Sequence, residues 1–519
     1  MRCVKVRLVR SMPWAGALAL GLLASGTGQA DDDPALATKS QADAPTAFAA
    51  EKPKPVLNWG AGTGRSFLVP AVEVASFELF LNRYNHYTGD PKVYSSPIDN
   101  FRENLHHKWV VDNDAFATNQ FLHPYQGAMY QNFARSAGLN FWESAGYTLV
   151  GSLAWEMAGE STRPSINDQV ASSIGGLFLG EPLFRMASLL LESSKDGNPG
   201  PWREFGAALV SPATGINRLT FASRFDGVFR SNNPAVYTRL DIGYSQTPHY
   251  TSNVNVNADP SAPPAAQTLR QREASADFTM SYGLPGKPDY TYTRPFDYFQ
   301  FEFVASTANT FETLLSRGLL IGTTYGTHDN FRGIWGLYGT YGYIAPQIFR
   351  VSSTALGLGT TGQWWLSRAI ALQGTGLASV GYAGGGVIHG AGVANAGPTG
   401  DGQRDYHYGI TPQGLLAWRL IFGDRVSVDS SIRDYYISRV GATESTGSEN
   451  ILRADVSLTV RVHNLHGITL RYSDSRREGR YTNQPTSNQT ITTFSIGYTL
   501  LGQTHFGAVD WRPAMDREP

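Results

Sequence analysis

Cysteine is almost absent from this chain of 519 residues: the single one is Cys3. It lies among Arg2, Lys5, Arg7 and Arg10, a basic stretch followed by the apolar run Trp14 to Leu23 and the small residues Gly28-Gln29-Ala30. That order is the pattern of a cleavable export signal, residues 1–30. A mature chain without cysteine excludes disulfides, thiolate metal sites and a cysteine nucleophile together.

Charge of one sign is also lacking. The formal net charge is -1, which leaves no basic surplus for nucleic acid. Long hydrophobic runs are missing too. Ser144 to Trp155 and Gln169 to Gly180, the most apolar stretches after the signal, are 12 residues each, whereas a helical span needs about 20. Charged residues make up only 16%, against 12% aromatics and 55 glycines. That balance suits a barrel whose outer face meets lipid.

What the sequence does have is alternation. Leu452, Ala454, Val456, Leu458, Val460 and Val462 fall on one face of a strand, and Arg453, Asp455, Ser457, Thr459 and Arg461 on the other. The pattern recurs at Val236 to Tyr244, Glu273 to Tyr282 and Thr493 to Leu500. About twelve antiparallel strands, within a range of about 10–14, are expected between Ala235 and Gly502, forming a membrane β-barrel. The long polar loops, about 246–270, 383–403, 439–449 and 479–489, then all emerge on one side, as extracellular loops do. Short links such as Phe422-Gly423-Asp424 and Asn464-Leu465-His466 fall on the other. The exception is the longer link Leu284 to Pro295 on the periplasmic side. Tyr341, Tyr343, Trp364, Trp365, Trp418, Tyr435 and Tyr436 are candidates for aromatic girdles. A polar tail, residues 507–519, follows the last strand where such barrels often end on an aromatic residue.

Before the barrel, residues 31–65 read as a flexible leader rich in Ala, Pro, Asp and Lys. Residues 66–220 form a helical domain, with helices expected over Ser66 to Arg83, from Pro124 to about Gly138, from Phe141 to Glu160, from Ser165 to Glu192 and around Trp202 to Val210. The helices are expected to plug the barrel or cap it from the periplasm, and residues 221–506 to form the barrel itself.

The helical block carries the densest motifs: H-P-Y-Q-G from His123, F-W-E-S from Phe141, G-S-L-A-W-E from Gly151, P-S-I-N-D from Pro164, and Gly175-Gly176 with Gly180-Glu181. This ordered set resembles the bacterial family catalogued as domain of unknown function 3943, over roughly Asn119 to Leu219. The resemblance implies an envelope protein with a C-terminal barrel and brings no activity with it.

Candidate functional groups are His123, Glu143, Glu156 and Asp168, which could converge on one polar site that binds a metal through nitrogen and oxygen ligands or does acid–base chemistry on a lipid. Each also has a structural reading. Ser165 with Asp168 fits a capping box, Glu143 or Glu156 could pair with Arg135, and His123 at a helix start could bond a neighbouring loop. No metal-ligand spacing is present and no cofactor is expected. A G-x-S-x-G elbow and a complete P-loop are absent, although a Ser-His-Asp set assembled in space rather than along the sequence stays open. Inside the barrel, Arg239, Asp277, Arg453, Asp455 and Arg461, with Asp241, Glu302, Arg425, Asp429, Arg433 and Arg471, are expected to line the lumen. There they would either pair into a ladder or set pore selectivity.

The sequence therefore points to the outer membrane. The partners it implies are outer-membrane lipid, the barrel-assembly machinery and a small-molecule or lipid ligand. Three functions remain open: envelope lipid handling or transport, a lipid-acting enzyme, and a purely structural envelope protein.

Overall fold

A computed structural model describes residues 56–112, 114–192, 199–253, 272–326, 329–387, 406–441, 447–482 and 485–512. The segment read as an export signal, most of the expected leader and much of the long loops lie outside the described residues.

The alternating segments form a closed antiparallel barrel of twelve strands, each paired with its neighbours in sequence and β1 (Val236–Ser252) closing on β12 (Ser487–Leu501). The other strands are β2 (Arg272–Tyr282), β3 (Phe299–Ser306), β4 (Thr313–Tyr325), β5 (Phe331–Ile344), β6 (Phe349–Trp365), β7 (Ile370–Val387), β8 (Tyr406–Phe422), β9 (Val426–Ile437), β10 (Gly447–His463) and β11 (His466–Tyr481). The strand number and the loop parity both agree with the sequence pattern, and β10 contains the whole Leu452 to Val462 alternation.

Ladder partners share a face, so the pairing identifies inside and outside. Arg239, Thr279, Glu302, Leu315, Gly342 and Ser353 are successive partners across β1 to β6 and face the lumen. The adjacent row, Leu240, Phe278, Phe303, Leu314, Tyr343 and Ser352, faces out. On most of the circumference outward side chains are open, as at Val462 (59% exposed) and Ile496 (54%). On β2 to β4 they are covered: Phe301 is 1% exposed and Phe303 3%.

The helices provide that cover. They are α1 (Leu68–Thr88), α2 (Pro97–Asn104), α3 (His123–Ser136), α4 (Phe141–Ala154), α5 (Ile166–Glu192), α6 (Gly200–Val210), α7 (Pro212–Thr220) and α8 (Ala222–Phe225). Phe178, Leu179, Leu183, Met186 and Leu190 of α5 form one apolar cluster with Phe278, Met280, Phe299, Phe301, Phe303, Leu314 and Leu320 of the wall. The expectation of a plug or periplasmic cap is thus corrected. The helices pack on the outer wall, and among the described residues none of theirs lines three cavities found inside the lumen. The expected girdle residues Tyr341 and Tyr343 lie under this cover, and Tyr435 faces inward, whereas Trp364, Trp418 and Tyr436 are exposed on the outer wall.

Helix α5 is 27 residues long and the one helix, among the described residues, long and apolar enough to cross a membrane. At a rise of 1.5 Å per residue it measures about 40 Å. It runs down the wall from Asn167, near Tyr406 at the extracellular end, to Glu192, which accepts from Ser231 N beside β1. Sequence reading expected this helix from Ser165 to Glu192 but bounded its apolar stretch at Asp168 and Glu181, which made it look too short for a span. Both carboxylates are buried against protein.

Apolar contact alone gives little preference for one docking over another in lipid, because hydrocarbon tails are as apolar as leucine. Polar links fix the position. Ser316 Oγ donates to Phe178 O at 2.6 Å, Tyr341 Oη to Gln120 O at 2.8 Å, and Arg185 reaches Asp297 at 3.0 Å. Asp297, with Tyr290 and Tyr292, belongs to the long β2–β3 link, whose length is explained by its role as the dock for α5.

Both ends of the lumen are closed by the chain itself. At the periplasmic end the tail turns back at Phe506 (φ 52°) and Gly507 (φ 85°). Gln363 Nε2 donates to Val509 O at 2.6 Å and Gln373 Nε2 to Gly507 O at 2.7 Å. Phe506 and Val509 pack with Tyr237, Leu284, Ile421 and Leu501 into an apolar floor. The segment read as a polar tail is therefore, as far as Arg512, a stopper. At the extracellular end Ile348 of the β5–β6 turn packs with Ile344, Phe349, Tyr435, Ile437, Ile451 and Ile491, forming an apolar lid.

Candidate functional site

The candidate residues divide between two places. In the lumen, Arg239 pairs with Asp241 at 3.0 Å and Asp429 at 3.3 Å, Arg453 pairs with Asp455 at 3.0 Å, and Asp277 pairs with Arg471. Arg433 approaches Glu302 at 3.9 Å. Two of these pairs lie along one strand, in β1 and β10, and the others join β1 to β9, β2 to β11 and β9 to β3, a network in which each charge offsets the desolvation of another. Arg461 lies apart at the periplasmic rim, bonded to Asp424 and to Asn464 O. Arg425 is in the β8–β9 turn and exposed, not in the lumen.

The second place is in the helical domain, toward the extracellular end of the wall. It is built by three π-helical turns among the described residues, each inserting one extra residue into a helical run. Thr118–Leu122 delivers His123, Trp155–Gly159 carries Glu156, and Ala171–Gly175 carries Ser172. Such turns rotate the following side chains off the regular helical register and are frequent at functional sites.

His123, Glu156 and Asp168 are brought into one buried polar region, as the sequence suggested, and Glu143 is not. Glu143 forms the capping box of α4, accepting from Asn140 N at 2.8 Å, and it pairs with Arg65 at 3.5 Å. Arg135 partners neither Glu143 nor Glu156. It bonds Glu181 at 2.7 and 3.1 Å, with Phe184 and Phe229 against its guanidinium. The capping box expected of Ser165 and Asp168 is half made. Ser165 Oγ accepts from Asp168 N at 3.2 Å, but Ser165 N donates to Glu156 Oε2 at 2.7 Å instead of to Asp168.

Asp168 is thereby left to face His123. His123 Nε2 lies 3.8 Å from Asp168 Oδ2, and His123 Nδ1 lies 3.0 Å from Ser172 Oγ. Asp168 is 0% exposed, Ser172 2% and His123 5%. Asp168 Oδ1 accepts from Asn167 Nδ2 at 3.0 Å, while its Oδ2 has no hydrogen-bond donor. Around it Asp112 accepts from Asn119 and from Asn167 (2.8 Å), and Asn119 Nδ2 donates to Tyr406 Oη at 2.9 Å, which ties the site to the barrel. At its edge, in loops outside the helices, burial pushes the Glu160 carboxyl up to about 8 and Asp114 up to about 6, with neighbouring carboxylates adding to both.

Two glycines allow the approach. A Cβ on Gly127 would stand 1.7 Å from Ser172 O, and one on Gly176 would stand 2.5 Å from Gly127 Cα. Helices α3 and α5 therefore touch backbone to backbone where His123 meets Ser172. Ser172, Asp112, Asn119 and Asn167 were not singled out from sequence. The only sequence signal was the spacing Asp168 to Ser172, one helical turn, opposite the G of H-P-Y-Q-G. No group of His, Cys, Asp and Glu among the described residues is arranged to hold a metal ion.

Residues 108–213, the segment that builds this site, match the family described as domain of unknown function (DUF3943). No curated protein matches the chain. Among solved structures, the Pseudomonas putida toluene transporter TodX is 11% identical, covering 52% of this chain and 90% of its own, with TM-score 0.21. The NalP autotransporter translocator domain from Neisseria meningitidis is 11% identical, covering 51% and 86%, with TM-score 0.22. The outer membrane protease OmpT from Escherichia coli is 8% identical, covering 52% and 100%, with TM-score 0.16. Likeness at this level carries no functional argument.

Proposed function

We propose that this chain, an outer-membrane β-barrel protein bearing a DUF3943 helical domain, handles envelope lipid at the outer wall of its barrel and does not conduct solutes through the lumen. The observation that carries this reading is the placement of the helices. They lie along the outside of β2 to β4, where a barrel would otherwise face hydrocarbon, and they bring a buried polar site with them. The lumen supports the same reading, since an apolar lid and a folded-back tail close its two ends.

The surface beside the site is apolar and open. Leu122 (51% exposed) precedes His123, Ile174 (37%) follows Ser172, and Leu149, Val150 and Leu153 on α4 are 42–61% exposed. Acyl chains meet such a surface without desolvation, while a polar headgroup would find donors and acceptors only at the polar cluster.

A photoreactive residue placed at Leu122 or Ile174 in the protein in outer membranes should capture lipid, and one placed at lumenal Ser431 should not. The full-length protein in a planar bilayer should show no steady conductance. Lipid capture at Ser431 only, or a stable open pore, would reject the proposal.

A further inference from the structure

We propose that Ser172, His123 and Asp168 form a serine-nucleophile site that hydrolyses an acyl ester of an outer-membrane lipid, an inference that rests on the lipid-facing placement argued above. In geometry, the hydroxyl and the imidazole are in hydrogen-bond contact at 3.0 Å, and the second imidazole nitrogen faces a carboxylate oxygen that has no other donor. This is the nucleophile–base–orienter order that acyl transfer requires, and such sets are recognised by geometry and not by spacing. The His123 to Asp168 separation of 3.8 Å exceeds a hydrogen bond. Catalytic contacts are often long before substrate binds.

Ser172 lies in a π turn, and the polar residues around it are already bonded to one another: Asn167 to Asp112 and Asp168, Asn119 to Asp112 and Tyr406, Ser165 to Asp168 N. A buried carboxylate is costly unless it is paired or takes up a proton, and Asp168 lies against the Asp112 carboxyl as well as His123. Imidazolium formed at His123 during the reaction would stabilise its charged form.

The steps balance without a cofactor. Ser172 Oγ attacks the ester carbonyl carbon, and its proton passes to His123 Nδ1 while Asp168 Oδ2 faces Nε2–H. The carbon–oxygen bond to the lipid alcohol breaks, and the alcohol leaves with the proton from Nδ1. Water then attacks the acyl-serine, giving its proton to His123. Ser172 recovers a proton from Nδ1, and a free fatty acid departs. The substrate is an ester-linked acyl chain, because the approach past Leu122 and Ile174 is apolar and an ester carbonyl is attacked by a serine hydroxyl more readily than an amide carbonyl. Ser172 is 2% exposed, so these two side chains must swing aside to admit it.

The test uses the full-length protein in detergent micelles, with heat-modifiable migration as the check on folding. A serine-directed fluorophosphonate probe should label the wild type and Ser173→Ala, a neighbour whose hydroxyl bonds Gln169 O. Label should vanish in Ser172→Ala, and the labelling rate should drop roughly a hundredfold or more in His123→Ala, the scale of a lost general base. Mixed micelles of phospholipid in one arm and lipopolysaccharide in the other should release fatty acid in at least one, and release should be lost in folded Ser172→Ala. Absence of labelling in the folded wild type, unchanged labelling in Ser172→Ala, or release from neither lipid would overturn the proposal. Lipid capture at Ile174 that persists alongside any of those results would leave the lipid-handling reading standing and remove only the hydrolysis.

Discussion

Arg185 of α5 and Asp297 of the β2–β3 link form an ion pair at 3.0 Å with both side chains 1% exposed. Arg185 also bonds Glu181 at 2.9 Å and Pro295 O at 2.6 Å, and Glu181 in turn holds Arg135. One buried chain of charges thus runs from α3 through α5 to the periplasmic end of the barrel. Arg294 adds a contact to Asp297 at 3.1 Å, with Phe229 packed against three of the guanidinium groups.

Breaking that chain should release the helices without opening the barrel. Arg185→Met leaves Asp297 and Glu181 short of a partner, a change that costs about 3–5 kcal/mol for a buried pair. Limited proteolysis should then cut within residues 66–220 while heat-modifiable migration of the barrel is retained. Loss of the barrel form would show instead that the helices are needed for barrel assembly.

The glycine contact predicts a different defect. Gly127→Ala puts a methyl group into the Ser172 carbonyl, so α3 and α5 must separate. Overpacking of this kind costs about 1–3 kcal/mol. Thermal unfolding of the helical domain should move to lower temperature, whereas Gly146→Ala, with open space around its Cβ position, should leave it in place.

The two closures of the lumen should act in series. Deleting residues 503–519 removes the stopper but leaves the Ile348 lid, and Ile348→Asp loosens the lid but leaves the stopper. Neither change alone should produce conductance in planar bilayers, and the two together should. A conducting single variant would show that one closure is sufficient.

Stability of the helical domain should depend on pH through Glu160. Burial pushes its carboxyl up to about 8, above the ordinary value of about 4.5, so between these values the folded state holds a proton that the unfolded chain has lost. The unfolded state then binds fewer protons, and stability falls as pH rises. The contribution is complete below about 4.5 and is lost as pH passes through about 8. Melting temperature should therefore decline from pH 5 to pH 8, and Glu160→Gln should flatten the slope. A slope unchanged in that variant would locate the titration elsewhere.

The barrel was legible in the sequence because its determinant is local. A strand places alternate residues on opposite faces, so Leu452 to Val462 discloses both its lipid face and its lumen face without reference to any other strand. Loop parity extended this to the whole barrel, and the motif block from His123 to Glu181 marked the polar site. Glu143 was misjudged although Asn140, three residues before it, gives the capping-box spacing that the structure realises at the start of α4.

Contacts distant in sequence settle where the helices lie, what closes the lumen, and which groups meet at His123. An apolar helix face fits a lumen, a periplasmic cap or an outer wall equally well, because apolar burial carries no direction. The choice was made by partners distant in sequence: Asp297 for Arg185, Tyr341 for Gln120, Gln363 for Val509 and Ser172 for His123. Such pairs are formed by topology. Local alternation makes this chain a barrel with a helical domain before it, and long-range pairing sets that domain beside the barrel, with its polar site outside the lumen.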